Sequence, residues 1–158
     1  MWSCILVVLL VPALQAQQIE GIASVRKAKE HVVYVAEAQT IVADKPAELK
    51  VHFAVQQGFH INSHTPRSAV LIPTKLAVED DPAVVTRAVD FPKGTEYSFA
   101  FDPKEKLDVY TGDFVLTLHV TARAGPHSVK GALRYQACDA AACYPPKLLA
   151  VEVPFTAK

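Results

Sequence analysis

From residue 48 to 56 the chain alternates: Leu49, Val51, Phe53 and Val55 fall on one side, Lys50, His52 and Gln56 on the other. A period of two is the mark of a half-buried β-strand. The alternation returns at 113–121, where Phe114, Leu116, Leu118 and Val120 share a face. Further strands are expected over 59–62, 70–73, 75–78, 84–89, 129–137 and 148–155. Gly58 breaks the first run, and Pro73 suggests an edge or a bulge. Asp80-Asp81-Pro82 and Phe91-Pro92-Lys93-Gly94 read as turns. No helical stripe exceeds two turns; the alanines of 139–142 suit a short helical turn. Short strands at regular spacing between Pro and Gly turns predict an all-β chain folded as an antiparallel β-sandwich.

Residues 1–16 carry an apolar run that ends in small residues, the pattern of a secretory signal cleaved after Ala16. No Lys or Arg precedes the run, and an uncleaved anchor or a buried helix is the alternative. The run is shorter than the roughly 20 apolar residues needed to span a bilayer. The expectation is an exported chain with no stable membrane insertion after cleavage. Residues 17–29 form a poorly defined lead-in and residues 30–158 one domain. Sixteen basic residues balance sixteen acidic ones. With no basic stripe, nucleic acid is not an expected partner. Eleven prolines and many valines agree with a β-rich chain.

Loss of the signal removes Cys4 and leaves one pair, Cys138 and Cys143, which an oxidising compartment will bridge. Four residues lie between them, Tyr135 and Tyr144 flank them, and Pro145-Pro146 closes the segment. A bridge over so short a loop is a poor staple. The chain-entropy model assigns it about 2 kcal/mol, against about 4 to 5 for a loop of a hundred residues. Two readings stay open: a redox-active pair, or a structural hairpin disulfide in a binding module.

The segment Tyr135-Gln136-Ala137-Cys138, then Cys143-Tyr144-Pro145-Pro146 and a strand ending Val151-Glu152-Val153-Pro154-Phe155, resembles the N-terminal periplasmic domain of the thiol:disulfide interchange protein DsbD. Gly58-Phe59-His60-Ile61-Asn62 and Asp108-Val109-Tyr110 fit the same pattern. The resemblance spans roughly residues 30–156. It implies an immunoglobulin-like sandwich with the cysteines near one end. It also implies a periplasmic redox carrier, taking electrons from a thioredoxin-like donor or a membrane thiol transporter and passing them to oxidised periplasmic proteins by thiol–disulfide exchange. The family pattern has five residues between the cysteines instead of four. The membrane-embedded and thioredoxin-like portions of full-length DsbD do not follow Lys158, so the expected donor is a separate protein.

The resemblance further implies that Cys143 is the attacked sulfur and Cys138 its resolving partner. It implies an aromatic cap over the bridge, for which Phe99 and Phe101 are the candidates. Their alternation with Tyr97 equally fits a core-facing strand. His60, Asn62 and Tyr144 are expected near the bridge, where they orient it or tune a thiolate. Asp139, beside Cys138, should disfavour a thiolate there. No metal site and no cofactor is expected: His60 and His64 have helical metal spacing on a segment that reads as strand and loop. No Ser-His-Asp pattern, phosphate loop or paired-carboxylate motif stands out.

Overall fold

A computed structural model describes residues 30–158; the expected signal, Cys4 and the lead-in lie outside the described residues. The described chain forms twelve strands: β1 (Val32–Val35), β2 (Gln39–Ile41), β3 (Ala47–Val55), β4 (His60–Asn62), β5 (Lys75–Val78), β6 (Val84–Asp90), β7 (Thr95–Phe99), β8 (Asp102–Tyr110), β9 (Asp113–Ala122), β10 (Gly125–Tyr135), β11 (Ala137–Cys138) and β12 (Lys147–Ala157). One four-stranded sheet runs β1-β3-β9-β6 and a second β2-β12-β10-β5. All strand pairings among the described residues are antiparallel except β2 with β12.

The alternation seen in the sequence builds the core. Leu49, Val51 and Phe53 of β3 stand opposite Leu118, Leu116 and Phe114 of β9, and all six are buried. From the other sheet come Val129, Leu133 and Tyr135 of β10 and Val151, Val153 and Phe155 of β12. These side chains form one apolar cluster between the two sheets. The protein is therefore an immunoglobulin-like β-sandwich.

Three core strands run on past the same end of this sandwich. β3 leads into β4 through Gly58 (φ 84°), β8 leads into β9 through Gly112 (φ 58°), and β10 leads into β11 across Gln136 alone. There they form a third sheet, β11-β4-β8-β7. Ile61, Tyr110 and Ala137 still face the main core. Phe99, Leu107, Val109 and Cys138 form a second, separate cluster. The cysteines thus lie in the 136–146 connection between β10 and β12, the two longest strands, which pair along all eleven residues.

Some expectations are corrected. Residues 70–73 are not a strand but part of a loop in which Val70 is 86 % exposed. Pro73 has no N–H, and the Ile72 carbonyl is taken by the Asn62 side chain (3.0 Å), which leaves no ladder to join. Residues 139–142 form a bend and not a helical turn. β1, β2 and most of β8 have no clear alternation; residues 102–106 of β8 are all exposed.

Gly131 faces Val78 across the β10–β5 ladder, and a Cβ there would stand 2.3 Å from the Ala77 carbonyl oxygen. Gly131→Ala should push β5 away from β10 and cost about 1–3 kcal/mol in chemical denaturation. A loss below about 0.5 kcal/mol would mean that β5 shifts without resistance.

Candidate functional site

Cys138 and Cys143 are joined by a disulfide (Sγ–Sγ 2.05 Å, Cα–Cα 3.9 Å). The short loop between them is organised by Asp139. Its N–H donates to the Ala142 carbonyl (2.9 Å), and its Oδ1 accepts from the N–H groups of Ala141 (2.8 Å) and Ala142 (2.9 Å). Its Oδ2 accepts from the Tyr144 hydroxyl at 2.5 Å. The Tyr144 N–H donates back to the Ala137 carbonyl at 2.8 Å, so the aspartate and the tyrosine brace the bridge from both arms.

The two sulfurs have different surroundings. Cys138 is 0 % exposed: β11 is an edge strand of the third sheet, paired with β4, and Cys138 packs in a cluster with Phe99, Leu107 and Val109. Cys143 lies outside any strand and is exposed. Pro145 and Pro146 follow it, and with no N–H to donate they keep the return arm from joining the ladder before Lys147.

His60 stands directly across from Cys138 and is 3 % exposed. Its ring packs on Tyr97 (centroids 4.0 Å apart) and near Phe99 (5.7 Å). Burial pushes the imidazole below its usual 6.5, and the negative charge of Asp139 partly opposes this. Asn62, fully buried, donates through Nδ2 to the Ile72 carbonyl and to Gln136 Oε1 (3.2 Å). Gln136 Nε2 in turn donates to the Tyr144 carbonyl (3.2 Å), so Asn62 supports the cysteine loop from behind.

Phe99 is 9 % exposed and packs in one cluster with Cys138, Leu107 and Val109. Phe101, at the tip of the β7–β8 hairpin, is 69 % exposed and stacks on Phe99 with centroids 4.8 Å apart. Tyr97 and Phe99 are on a strand and pack in the cluster that holds Cys138, not in the sandwich core. A cleft of about 550 Å³ opens beside the bridge, walled by Gly58, Phe59, His60, Tyr97, Gly112 and Ala140.

The structure brings His60, Phe99, Tyr144 and both cysteines together and sets Asn62 one step behind them. It keeps His64 apart, stacked on Phe91 (3.9 Å) and bonded to the Thr74 carbonyl. Among the described residues no three His, Cys, Asp or Glu side chains are placed to hold a metal ion. Sequence reasoning did not single out Tyr97, Gln136 or His31. The His31 ring lies 4.2 Å from Phe59 and 5.1 Å from Tyr144. The 97–101 alternation pointed toward Tyr97; nothing local marks His31.

The Tyr144 hydroxyl, helped by the loop amides, holds the Asp139 carboxyl at about 2, below the usual 3.8. The same bond, with burial and the aspartate charge, pushes the Tyr144 phenol above its usual 10. Tyr144→Phe should move the Asp139 titration up toward 3.8, read by carboxyl NMR. A depressed carboxyl contributes stability above its unfolded value and loses it as the pH falls through its folded one. The advantage of the parent over Tyr144→Phe should therefore be whole above 3.8 and vanish as the pH falls toward 2. An unmoved Asp139 titration would mean that the hydroxyl contributes nothing.

Comparison of the sequence with curated proteins finds no match. Among solved structures, the fold is similar to the DsbD N-terminal domain of Neisseria meningitidis in its reduced form. The identity is 24 %, the match covers 73 % of this chain and 81 % of that one, and the TM-score is 0.46. It is also similar to the N-terminal periplasmic domain of ScsB from Proteus mirabilis, at 9 % identity over 78 % of this chain and 43 % of that one, with a TM-score of 0.48. The family model described as thiol:disulfide interchange protein DsbD, N-terminal, matches residues 29–153. That span holds the whole cysteine segment and every strand except the last four residues of β12, and the chain belongs to the DsbD N-terminal domain family of thiol–disulfide exchange domains.

Proposed function

We propose that this domain is a periplasmic electron carrier. It accepts electrons from a thioredoxin-like donor or a membrane thiol transporter and delivers them to oxidised exported proteins through Cys138 and Cys143. In this reading residues 1–16 are a signal removed on export, residues 17–29 a lead-in and residues 30–158 the working domain. Among the described residues no helix is long and apolar enough to cross a membrane.

The observation that carries the reading is the asymmetry of the bridge, with one sulfur-bearing residue exposed and the other fully buried. Exchange requires a thiolate to approach in line with the S–S bond. A protein partner can reach Cys143 but not Cys138. A donor thiolate attacks Cys143 Sγ, a donor–Cys143 disulfide forms, and the S–S electron pair leaves on Cys138. A second donor thiol then displaces Cys143, and the domain is reduced by two electrons. Delivery runs the other way: Cys143 attacks the acceptor disulfide, and Cys138 resolves the mixed disulfide.

Replacing Cys143 by Ser should abolish exchange. Replacing Cys138 by Ser should trap a mixed disulfide through Cys143 with a donor that lacks its own resolving thiol and has first been converted to its thionitrobenzoate mixed disulfide, so that Cys143 displaces thionitrobenzoate; the adduct is visible on a non-reducing gel. No trapped species would reverse the assignment. The carrier should also have a reduction potential well above the roughly −300 mV typical of structural bridges; a lower value would favour a structural staple in a binding module.

Phe99 acts as the cap in this reading, because it packs in one cluster with Cys138, whose sulfur must leave. Phe99→Ala should let solvent reach the departing Cys138 thiolate and speed reduction by dithiothreitol about tenfold, a barrier change of about 1.4 kcal/mol. It should also cost up to about 3 kcal/mol of stability. Phe101→Ala, at an exposed site, should leave stability within about 0.5 kcal/mol. Unchanged reduction rates in both variants, with a large fall in melting temperature for Phe99→Ala, would make the aromatics packing residues only.

A further inference from the structure

Cys138 and His60 are directly opposed across the β4–β11 ladder, so their side chains leave the sheet on the same face. Opposed residues of this kind have Cβ atoms about 4.5–5.5 Å apart. Both are buried, at 0 % and 3 % exposure. His60 Nε2 is sealed from solvent and has no hydrogen-bond partner while the bridge is closed. An unmet buried nitrogen is costly, and native structures seldom keep one without a use. When the bridge opens, the residue across the ladder from His60 gains a donor: the Cys138 thiol.

We infer that His60 is the general base for Cys138, taking the thiol proton at Nε2 as Cys138 attacks the mixed disulfide. The inference rests on the reading of Cys143 as the partner-facing sulfur. The need for a base follows from burial. Only the thiolate is an effective nucleophile. Surrounded by Phe99, Leu107 and Val109, Cys138 is held in the environment that favours the neutral thiol, out of reach of bulk water. In the step itself the Cys138 Sγ–H bond breaks and the proton goes to His60 Nε2. The Cys138–Cys143 S–S bond forms, the Cys143–acceptor S–S bond breaks, and its electron pair leaves on the acceptor sulfur. The acceptor is reduced by two electrons and the domain oxidised by two. The imidazolium then returns its proton to solvent or to the departing thiolate.

The groups facing the imidazole suit this role. They are Tyr97 and Phe99 from β7, and Cys138 with Asp139 from the cysteine segment. Burial keeps the ring neutral near pH 7, with a nitrogen free to take a proton, while the Asp139 carboxylate eases the imidazolium that forms.

Dithiobisnitrobenzoate separates the two steps, because each releases one coloured thiolate. The reduced domain should give a fast first release from attack by Cys143 and a slower second from resolution by Cys138. In His60→Gln the first release should be unchanged within about twofold and the second slowed about a hundredfold. In the parent the second rate should be level from about pH 7 upward, since His60 is already neutral there. In the variant it should climb about tenfold per pH unit, tracking direct loss of the thiol proton. Equal second rates in the two proteins overturn the role of His60 alone. A parent second rate that climbs tenfold per unit above pH 7 does the same without any variant. A Cys138→Ser protein that releases no first equivalent overturns the Cys143 assignment, and the base with it.

Discussion

Eleven consecutive pairs zip β10 to β12, and the far end of that ladder sets where the two cysteines lie. β10 passes almost without interruption into β11, so the outgoing arm stays hydrogen-bonded as the edge strand of the third sheet and carries Cys138 into the cluster of Phe99, Leu107 and Val109. The returning arm has Pro145 and Pro146 just before β12. Lacking N–H donors, they hold that arm out of the ladder, and Cys143 is left at the surface. One disulfide therefore spans a dry side and a wet side because its two ends lie on arms with different hydrogen-bonding capacity.

That division decides the chemistry open to each sulfur. The wet one stands exposed at the surface. The dry one has a buried imidazole across the strand pair, and an aspartate whose carboxylate is spent on the loop amides and on Tyr144. Asp139 thereby does two things at once. It fixes the loop, and it places an ionised carboxylate near His60 at every physiological pH. The polar relay from Asn62 through Gln136 to the Tyr144 carbonyl holds this geometry against the β4 backbone.

The β7–β8 hairpin is the least embedded part of the site. Its tip and residues 102–106 are exposed, so few apolar contacts hold it down. Segments with little buried apolar surface open at low free-energy cost. The register shift between Tyr97 and Phe99 alters the local twist just where the aromatic rings turn onto His60 and Cys138. Phe99 is the buried residue by which this hairpin's β7 joins the cluster around Cys138.

Much of the sandwich was legible in the sequence. The inward faces of β3 and β9 follow from a period of two, because a strand buried on one side must alternate. β8 was not legible: its outer half is solvated on both faces, so burial imposes no pattern there. Residues 70–73 look like a strand because they are apolar, yet the Asn62 side chain takes the Ile72 carbonyl and Pro73 has no N–H to offer a ladder. The cysteine pair, its short loop and its Tyr-Pro-Pro ending were plain from local sequence, as was the family they resemble. Which cysteine is buried, and that His60 faces it, depends on the register of β4 against β11, 78 residues apart at the Cys138–His60 pair. Pairing over that distance is decided by how the whole sandwich packs, and no local pattern encodes it. By itself the sequence determined a β-sandwich that carries the Cys138 and Cys143 pair; the tertiary structure alone decided that the pair has a dry end, a wet end and an imidazole across from the dry one.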